Sequence, residues 1–184
     1  RTNAPNANGY TMFGDAYKAN ESQVNIGISY SSASLVLSQG CKVNTSNDDA
    51  YVSSQATYNT RPNVLKLDTD GSLRFLNTSS ASTTPVDNAV SLTERFRITK
   101  DGNIGINENS PDKILHISHS SSPTIRLENT DTSLTAGQVV GNIEFKANDS
   151  SGIGVHVIGS VESYSDSSVG GSYGLKFRVS TSSS

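Results

Sequence analysis

The sequence predicts an all-β protein made of short antiparallel strands and hairpins, and three observations carry that prediction. The first is composition: Ser, Thr, Asn and Gly supply 80 of the 184 residues, types that form turns and strands more readily than helices. The second is a shortage of helix formers, with 17% charged and 33% hydrophobic residues against roughly 25% and 45–50% in ordinary domains. The third is periodicity, because short alternating or β-branched runs are separated by Gly, Ser, Asn and Asp.

Taken in order, the alternation predicts strands over residues 24–30, 34–38, 50–58, 64–67, 72–76, 95–99 and 103–106. It continues over residues 113–117, 124–127, 139–146, 154–162 and 173–179. Thr93 followed by Glu94 has the look of a helix start, but Phe96, Arg97, Ile98 and Thr99 go on as an alternating strand. Residues 1–14, with their Asn, Gly and Pro, read as an irregular arm, and residues 180–184 as a polar tail. The expected organisation is a first β-module over residues 1–109, arm included, and a second over residues 110–184.

An internal repeat lies within the first module. Residues 65–75 align with residues 96–106 at an offset of 31, each a strand, an Asp-Gly turn and a second strand. The parity of the apolar residues selects the hairpin. A two-residue Asp101-Gly102 loop would set Ile98 opposite Gly105 and split the apolar residues between two faces. A three-residue loop, Lys100-Asp101-Gly102, pairs Ile98 with Ile104 and Phe96 with Ile106. The equivalent loop Thr69-Asp70-Gly71 pairs Leu67 with Leu73 and Leu65 with Phe75. One apolar face then serves both ribbons, and Gly71 and Gly102 fall at the left-handed position of a bulged hairpin. Asp70, Gly71, Asp101 and Gly102 are therefore structural turn residues. Ribbons apolar on one face are marginal alone. They need a second sheet of the same chain, or the same face of two more chains around a threefold axis.

Charge and cysteine content remove several functional classes. A net charge of -3 and a pI near 5.5 supply no broad cationic surface for nucleic acid or for membrane association. No run approaches the ~18 apolar residues of a membrane span, and the first residues contain no apolar leader. The first residue is not Met, so the chain reads as a piece of something longer. Cys41 is the lone cysteine, which excludes an intrachain disulfide, and it reads as a small apolar residue in or beside a strand.

Residues with catalytic or metal-binding potential are present, but none forms a working pattern. Asp68-x-Asp70-Gly71 starts like a calcium loop, yet the position for the bidentate Glu is Ser79. His116 and His119 stand three apart on an extended segment and point to opposite faces, while His156 sits in an alternating strand. There is no Gly-x-Ser-x-Gly elbow, and Glu21, Asp48, Asp49, Glu94, Glu144 and Glu162 are scattered. The sequence thus assigns no catalytic residue, no metal and no cofactor. The tyrosines are the better lead: Tyr10, Tyr17, Tyr30, Tyr51 and Tyr58 crowd the first third of the chain and suit a surface that recognises sugar or protein by stacking and hydroxyl hydrogen bonds.

Residues 91–111, Leu-Thr-Glu-Arg followed by a strand, Asp-Gly, Asn-Ile-Gly-Ile and Ser-Pro, resemble a segment recurrent in bacteriophage tail fibres. Lys113-Ile114-Leu115-His116-Ile117, Thr124-Ile125-Arg126-Leu127 and residues 137–146 are similar to the stretches C-terminal to that segment in such fibres. The ribbon over residues 65–75 is similar to the segment that precedes it in marine and cyanobacterial phage fibres. The resemblance implies a homotrimeric, elongated, β-rich fibre segment, extracellular on the virion and not an enzyme. Its implied partners are its own copies, other tail or virion proteins, and a host cell-surface polysaccharide or protein, with no nucleic acid and no membrane insertion.

Overall fold

The structure, a computed structural model, describes residues 11–14, 21–151, 154–166 and 173–179. All regular elements among the described residues are strands, and the chain divides into two units, Arg1–Pro123 and Thr124–Ser184. Unit 1 contains β1 (Thr11–Gly14), β2 (Ser22–Ile28), β3 (Leu35–Gln39), β4 (Cys41–Val43), β5 (Tyr51–Ser53) and β6 (Asn63–Leu67). It continues through β7 (Leu73–Asn77), β8 (Ala89–Val90), β9 (Thr93–Ile98), β10 (Ile104–Ile106) and β11 (Leu115–Ile117). Unit 2 contains β12 (Val139–Ala147), β13 (His156–Ser165) and β14 (Tyr173–Val179).

In unit 1 an eight-stranded sheet has the order β1-β2-β3-β6-β7-β9-β10-β11, and a three-stranded sheet has the order β4-β5-β8. The large sheet follows chain order from one edge to the other. Its neighbours are antiparallel except β10 and β11, which are parallel. The buried apolar residues are few: Val36, Cys41, Val43, Tyr51 and Val64, with Leu76, Val90 and Leu92 packed against them. Several polar side chains buried among them are satisfied by backbone carbonyls, although the Tyr51 hydroxyl is buried without a hydrogen-bond partner. Asn25 Nδ2 and Ser38 Oγ each donate to the Cys41 carbonyl at 2.7 Å, and Ser54 Oγ donates to the Ser22 carbonyl at 2.6 Å. Cys41 sits in a strand, as its composition suggests, and burial pushes its thiol up to about 12.

Several elements differ from the sequence reading. The division falls after Pro123 and not after Asn109, because β11 is tied into the first sheet: Ile104 N donates to the Ile114 carbonyl at 2.7 Å and Ser118 N to the Ile106 carbonyl at 3.0 Å. Thr11–Gly14 is not part of an irregular arm; it pairs with β2 through Thr11↔Ile26 and Phe13↔Val24. Of residues 50–58 only Tyr51–Ser53 is strand, since the Gln55 side chain closes the next loop by accepting from Tyr58 N and donating to the Tyr58 carbonyl. Residues 124–127 join no ladder. Leu127 instead lies against Gly141 of β12, its Cβ 2.9 Å from where a Cβ at Gly141 would sit. The strands Cys41–Val43 and Ala89–Val90 were too short for alternation to reveal them.

Both hairpins have three-residue loops. Ile98 faces Ile104 and Phe96 faces Ile106, while Leu67 faces Leu73 and Leu65 faces Phe75. Gly102 N donates to the Thr99 carbonyl at 2.9 Å and Gly71 N to the Asp68 carbonyl at 3.0 Å. Gly71 has φ 94° and Gly102 has φ 87°, and a Cβ at Gly102 would meet nothing within 4 Å, so strain there is purely of the backbone. Gly105 is the opposite case, because a Cβ there would overlap the Glu108 carbonyl. We expect Gly102→Val to cost about 1–2 kcal/mol and Gly102→Asn much less, and Gly105→Ala to cost about 2–3 kcal/mol through overpacking. Melting curves of the three variants check the ranking; equal behaviour of Val and Asn at 102 would contradict the hairpin argument.

Candidate assembly face

The register of unit 1 aligns its apolar residues into two rows across seven strands. One row runs Ile26, Leu37, Leu65, Phe75, Phe96, Ile106, Ile117; the other runs Ile28, Leu35, Leu67, Leu73, Ile98, Ile104, Leu115. At the usual strand spacing each row is roughly 29 Å long. The three-stranded sheet does not cover this face. Leu35 is 39% exposed, Leu67 46% and Leu115 50%, and the remaining members of both rows are at most half-buried. On one side the stripe is bordered by a row that begins with the exposed Val24 on β2 and continues as the polar Gln39, Asn63, Asn77 and Thr93. The exposed members of the stripe, Ile26, Ile28, Leu35, Leu37, Leu65, Leu67 and Leu115, exceed the singly scattered apolar residues of an ordinary surface, and Leu73, Phe75, Phe96, Ile98, Ile104, Ile106 and Ile117 continue the rows as half-buried residues.

The opposite face holds a row of a different kind. Lys66 pairs with Arg74 and Arg74 with Arg97, so three cations stand side by side on adjacent strands. Like charges in that position repel, and carboxylates compensate them. Lys66, its side chain only 2% exposed, has Nζ 2.9 Å from Asp49 Oδ1 and 3.0 Å from Asp68 Oδ1. Arg74 donates to Asp68 through Nε and to Asp49 through Nη2, and Arg97 Nε is 2.6 Å from Glu94 Oε1. Asp49 comes from the loop between β4 and β5. Its neighbour Asp48 accepts from the backbone of Ser31 and Ser32 and from the Ser31 hydroxyl, so the loop is pinned to the large sheet at several points.

The sequence-predicted recognition tyrosines do not form one surface. Tyr51 is 3% exposed and belongs to the core, because its alternation partner Val52 takes the outward position of β5; it is not a recognition residue, and burial pushes its phenol far above the ordinary range. Tyr30 and Tyr58 are exposed, whereas Tyr10 and Tyr17 lie outside the described residues. Asp70, Gly71, Asp101 and Gly102 occupy the two hairpin loops, with Asp70 Oδ1 accepting from Ser72 N at 2.8 Å. His116 lies against Asp112 and Glu108, its Nδ1 3.1 Å from Asp112 Oδ1. Among the described residues no group of three or more His, Cys, Asp or Glu is placed to hold a metal ion.

In unit 2 the apolar Ile143 and Phe145 of β12 share a face with Val161 of β13. Gly141, Ile143 and Phe145 of β12 stand opposite Ser163, Val161 and Gly159 of β13, which in turn register with Leu175, Phe177 and Val179 of β14. Ile143 and Phe145 are 52% and 54% exposed. No family model, curated protein or solved structure matches the chain. The apolar rows were half legible in the sequence, since parity placed Phe96, Ile98, Ile104 and Ile106 on one face. Their continuation across β2 and β3 was not, because the pairing of β3 with β6 is between strands far apart in the chain.

The ionic row makes acid stability predictable. Burial alone would raise the Asp68 carboxyl, but hydrogen bonds from Arg74 and Lys66 outweigh it and hold that group at about 2, below the ~3.9 of an unfolded chain. Its contribution to stability is therefore complete above about pH 5 and is lost as pH falls from about 4 towards 2. Asp68→Asn should cost about 2 kcal/mol at neutral pH, since it leaves Lys66 and Arg74 undercompensated, and should flatten the acid limb of stability against pH. Thermal melts of both proteins between pH 2 and 8 check this, and an unchanged acid limb in the variant would assign the acid sensitivity elsewhere.

Proposed function

We propose that this chain is a structural and adhesive segment of a homotrimeric bacteriophage tail fibre, displayed outside the virion and used in attachment to a host surface. The observation that carries the reading is the open apolar face of the eight-stranded sheet. A single chain leaves half of the residues of its two apolar rows exposed, while its own second sheet covers the other side, where Val36 and Val64 stand beside the ion-paired Lys66 and Arg74. Burying what remains exposed is worth about 1 kcal/mol per side chain, hence on the order of 10 kcal/mol per chain before the cost of association. That gain favours association of copies over a free monomer.

The resemblance of residues 91–111 to tail-fibre segments supports the same reading, because its characteristic residues have structural tasks. Asn103 Nδ2 donates to the Pro111 carbonyl at 3.1 Å. Gly105 lies under the Glu108 carbonyl, and Asn107 takes the left-handed conformation at φ 52° where the chain turns back towards β11. Recognition then falls to surfaces away from the stripe, including those around Tyr30 and Tyr58, with a cell-surface polysaccharide or protein as the ligand.

Light scattering on the purified chain should give three times the 19.4 kDa chain mass. Ile98→Asp and Ile104→Asp should each abolish assembly, since a carboxylate in a dry apolar contact costs several kcal/mol. A stable, folded monomer, or normal assembly in both variants, would overturn the reading. Incubation with host polysaccharide should release no reducing ends, and release would instead identify a polysaccharide-degrading tailspike. Labelling the chain on intact particles should mark the tail, and a label on the capsid or collar would identify a fibre without receptor contact.

A further inference from the structure

We infer that the Asp101-Gly102 bond is a site of spontaneous isoaspartate formation, and that the equivalent Asp70-Gly71 bond in the same sheet is protected from it by hydrogen bonding in its own loop. The inference is independent of any assembly or attachment role. The reaction needs only water. The glycine amide nitrogen attacks Cγ of the preceding, protonated aspartate carboxyl; the carboxyl hydroxyl leaves as water with the amide proton, and a five-membered succinimide forms. Water then adds to one of the two ring carbonyls. Opening at one restores aspartate, and opening at the other gives isoaspartate, whose main chain runs through Cβ and Cγ. One water is lost and one regained, so mass and oxidation state are unchanged. Glycine in the second position removes the Cβ that would hinder the approach of its nitrogen.

The internal repeat supplies the comparison, because it aligns Asp68 with Thr99, Asp70 with Asp101 and Ser72 with Asn103. The two loops close alike. Gly71 N donates to the Asp68 carbonyl at 3.0 Å and Gly102 N to the Thr99 carbonyl at 2.9 Å, with φ 94° and 87° at the glycines. They differ in what accepts the next backbone N–H. In the first loop Ser72 N donates to Asp70 Oδ1 at 2.8 Å, which fastens the carboxylate across the turn. Hydrogen bonds from Ser72 also hold that carboxyl below its ordinary range, and only the protonated acid loses water. In the second loop Asn103 N donates instead to Thr99 Oγ1 at 3.1 Å. Asp68, the counterpart of Thr99, is drawn to Lys66 and Arg74 and leaves that N–H to Asp70. The donor to Asp101 among the described residues is its neighbour Lys100, at 2.9 and 3.0 Å to the two oxygens. Their side chains are 60% and 71% exposed, so this ion pair restrains the carboxyl little. A Cβ at Gly102 would meet nothing within 4 Å, and the Asp101 carboxyl can swing towards the Gly102 nitrogen without displacing a neighbour. Isoaspartate adds one main-chain atom to a three-residue loop, which parts Gly102 N from the Thr99 carbonyl and weakens the turn that sets Ile98 opposite Ile104.

Peptide mapping of the aged full chain tests this. One sample is held folded for weeks at mildly acidic pH and body temperature, and a second is held the same way in concentrated urea. Trypsin places the two sites in separate peptides, residues 67–74 and 98–113. Isoaspartate in each is resolved by chromatography and confirmed by methyl transfer from S-adenosylmethionine with an isoaspartyl methyltransferase. The folded chain should accumulate several-fold more isoaspartate at 101 than at 70, and the two sites should react at similar rates in urea. Equal amounts in the folded chain, an excess at 70, or none at 101 would overturn the inference. The same excess at 101 in urea would also overturn it, since the flanking Thr69 and Lys100 would then set the rates without the fold. Asp101→Glu, which could cyclise only through a slower six-membered ring, should keep its melting temperature on ageing while that of the parent chain falls; equal falls would overturn the link to loop closure.

Discussion

The two faces of the eight-stranded sheet differ in kind: the one that the chain covers for itself sets Val36, Val64 and Leu76 beside the cations Lys66 and Arg74, and the other is a stripe of Ile, Leu and Phe. Apolar burial is the main favourable contribution to folding, yet here two rows of Ile, Leu and Phe face water while Lys66, Arg74 and Ser38 face the second sheet. Such a sheet is half a structure. The hairpin loops, the register of seven strands and the bulge between Phe75 and Leu76 all serve to keep the apolar residues in step. A shift of one residue in any pairing would turn that strand's share of the stripe inward against the cations.

The inner face explains why the small sheet is there. Three cations on adjacent strands would push the sheet apart, and the carboxylates that hold them come partly from elsewhere in the chain. Asp68 follows β6 directly, Glu94 is on β9, but Asp49 arrives on the β4 to β5 loop, which Ser31 and Ser32 anchor through Asp48. Lys66 is almost completely buried and has two carboxylates within 3.0 Å, an arrangement that fixes geometry more than it adds net stability. Around it the core is small, with serines and one asparagine bonded to backbone carbonyls. Among the described residues of unit 1 the buried apolar side chains are few, Val36, Cys41, Val43, Tyr51 and Val64.

The connection from β10 to β11 shows how a short motif performs a difficult turn. Parallel neighbours ordinarily need a crossover of a dozen or more residues, and here the chain returns within residues 107–114. It does so with a left-handed Asn107, with the Asn103 side chain bonded to the Pro111 carbonyl, and with a glycine at 105 that lets the Glu108 carbonyl sit directly on the sheet. Each of these residues solves a local steric or hydrogen-bonding problem, which is why the motif can be recognised without its length or surroundings being known.

The amino-acid sequence by itself determined the all-β class, the two three-residue hairpins and the face shared by Phe96, Ile98, Ile104 and Ile106. All of these depend on neighbours a few residues apart, whose period-two alternation and turn chemistry are written locally. It also placed Cys41 in or beside a strand. Only the tertiary structure decided which face was covered, because alternation states that a strand has two unlike faces and says nothing about which one a second sheet meets. The same limit hid the core position of Tyr51, the pairing of Thr11–Gly14, and the row of Lys66, Arg74 and Arg97 with its carboxylates. Those contacts join residues separated by whole strands and loops, and their energies depend on burial and distance, which are properties of the folded chain.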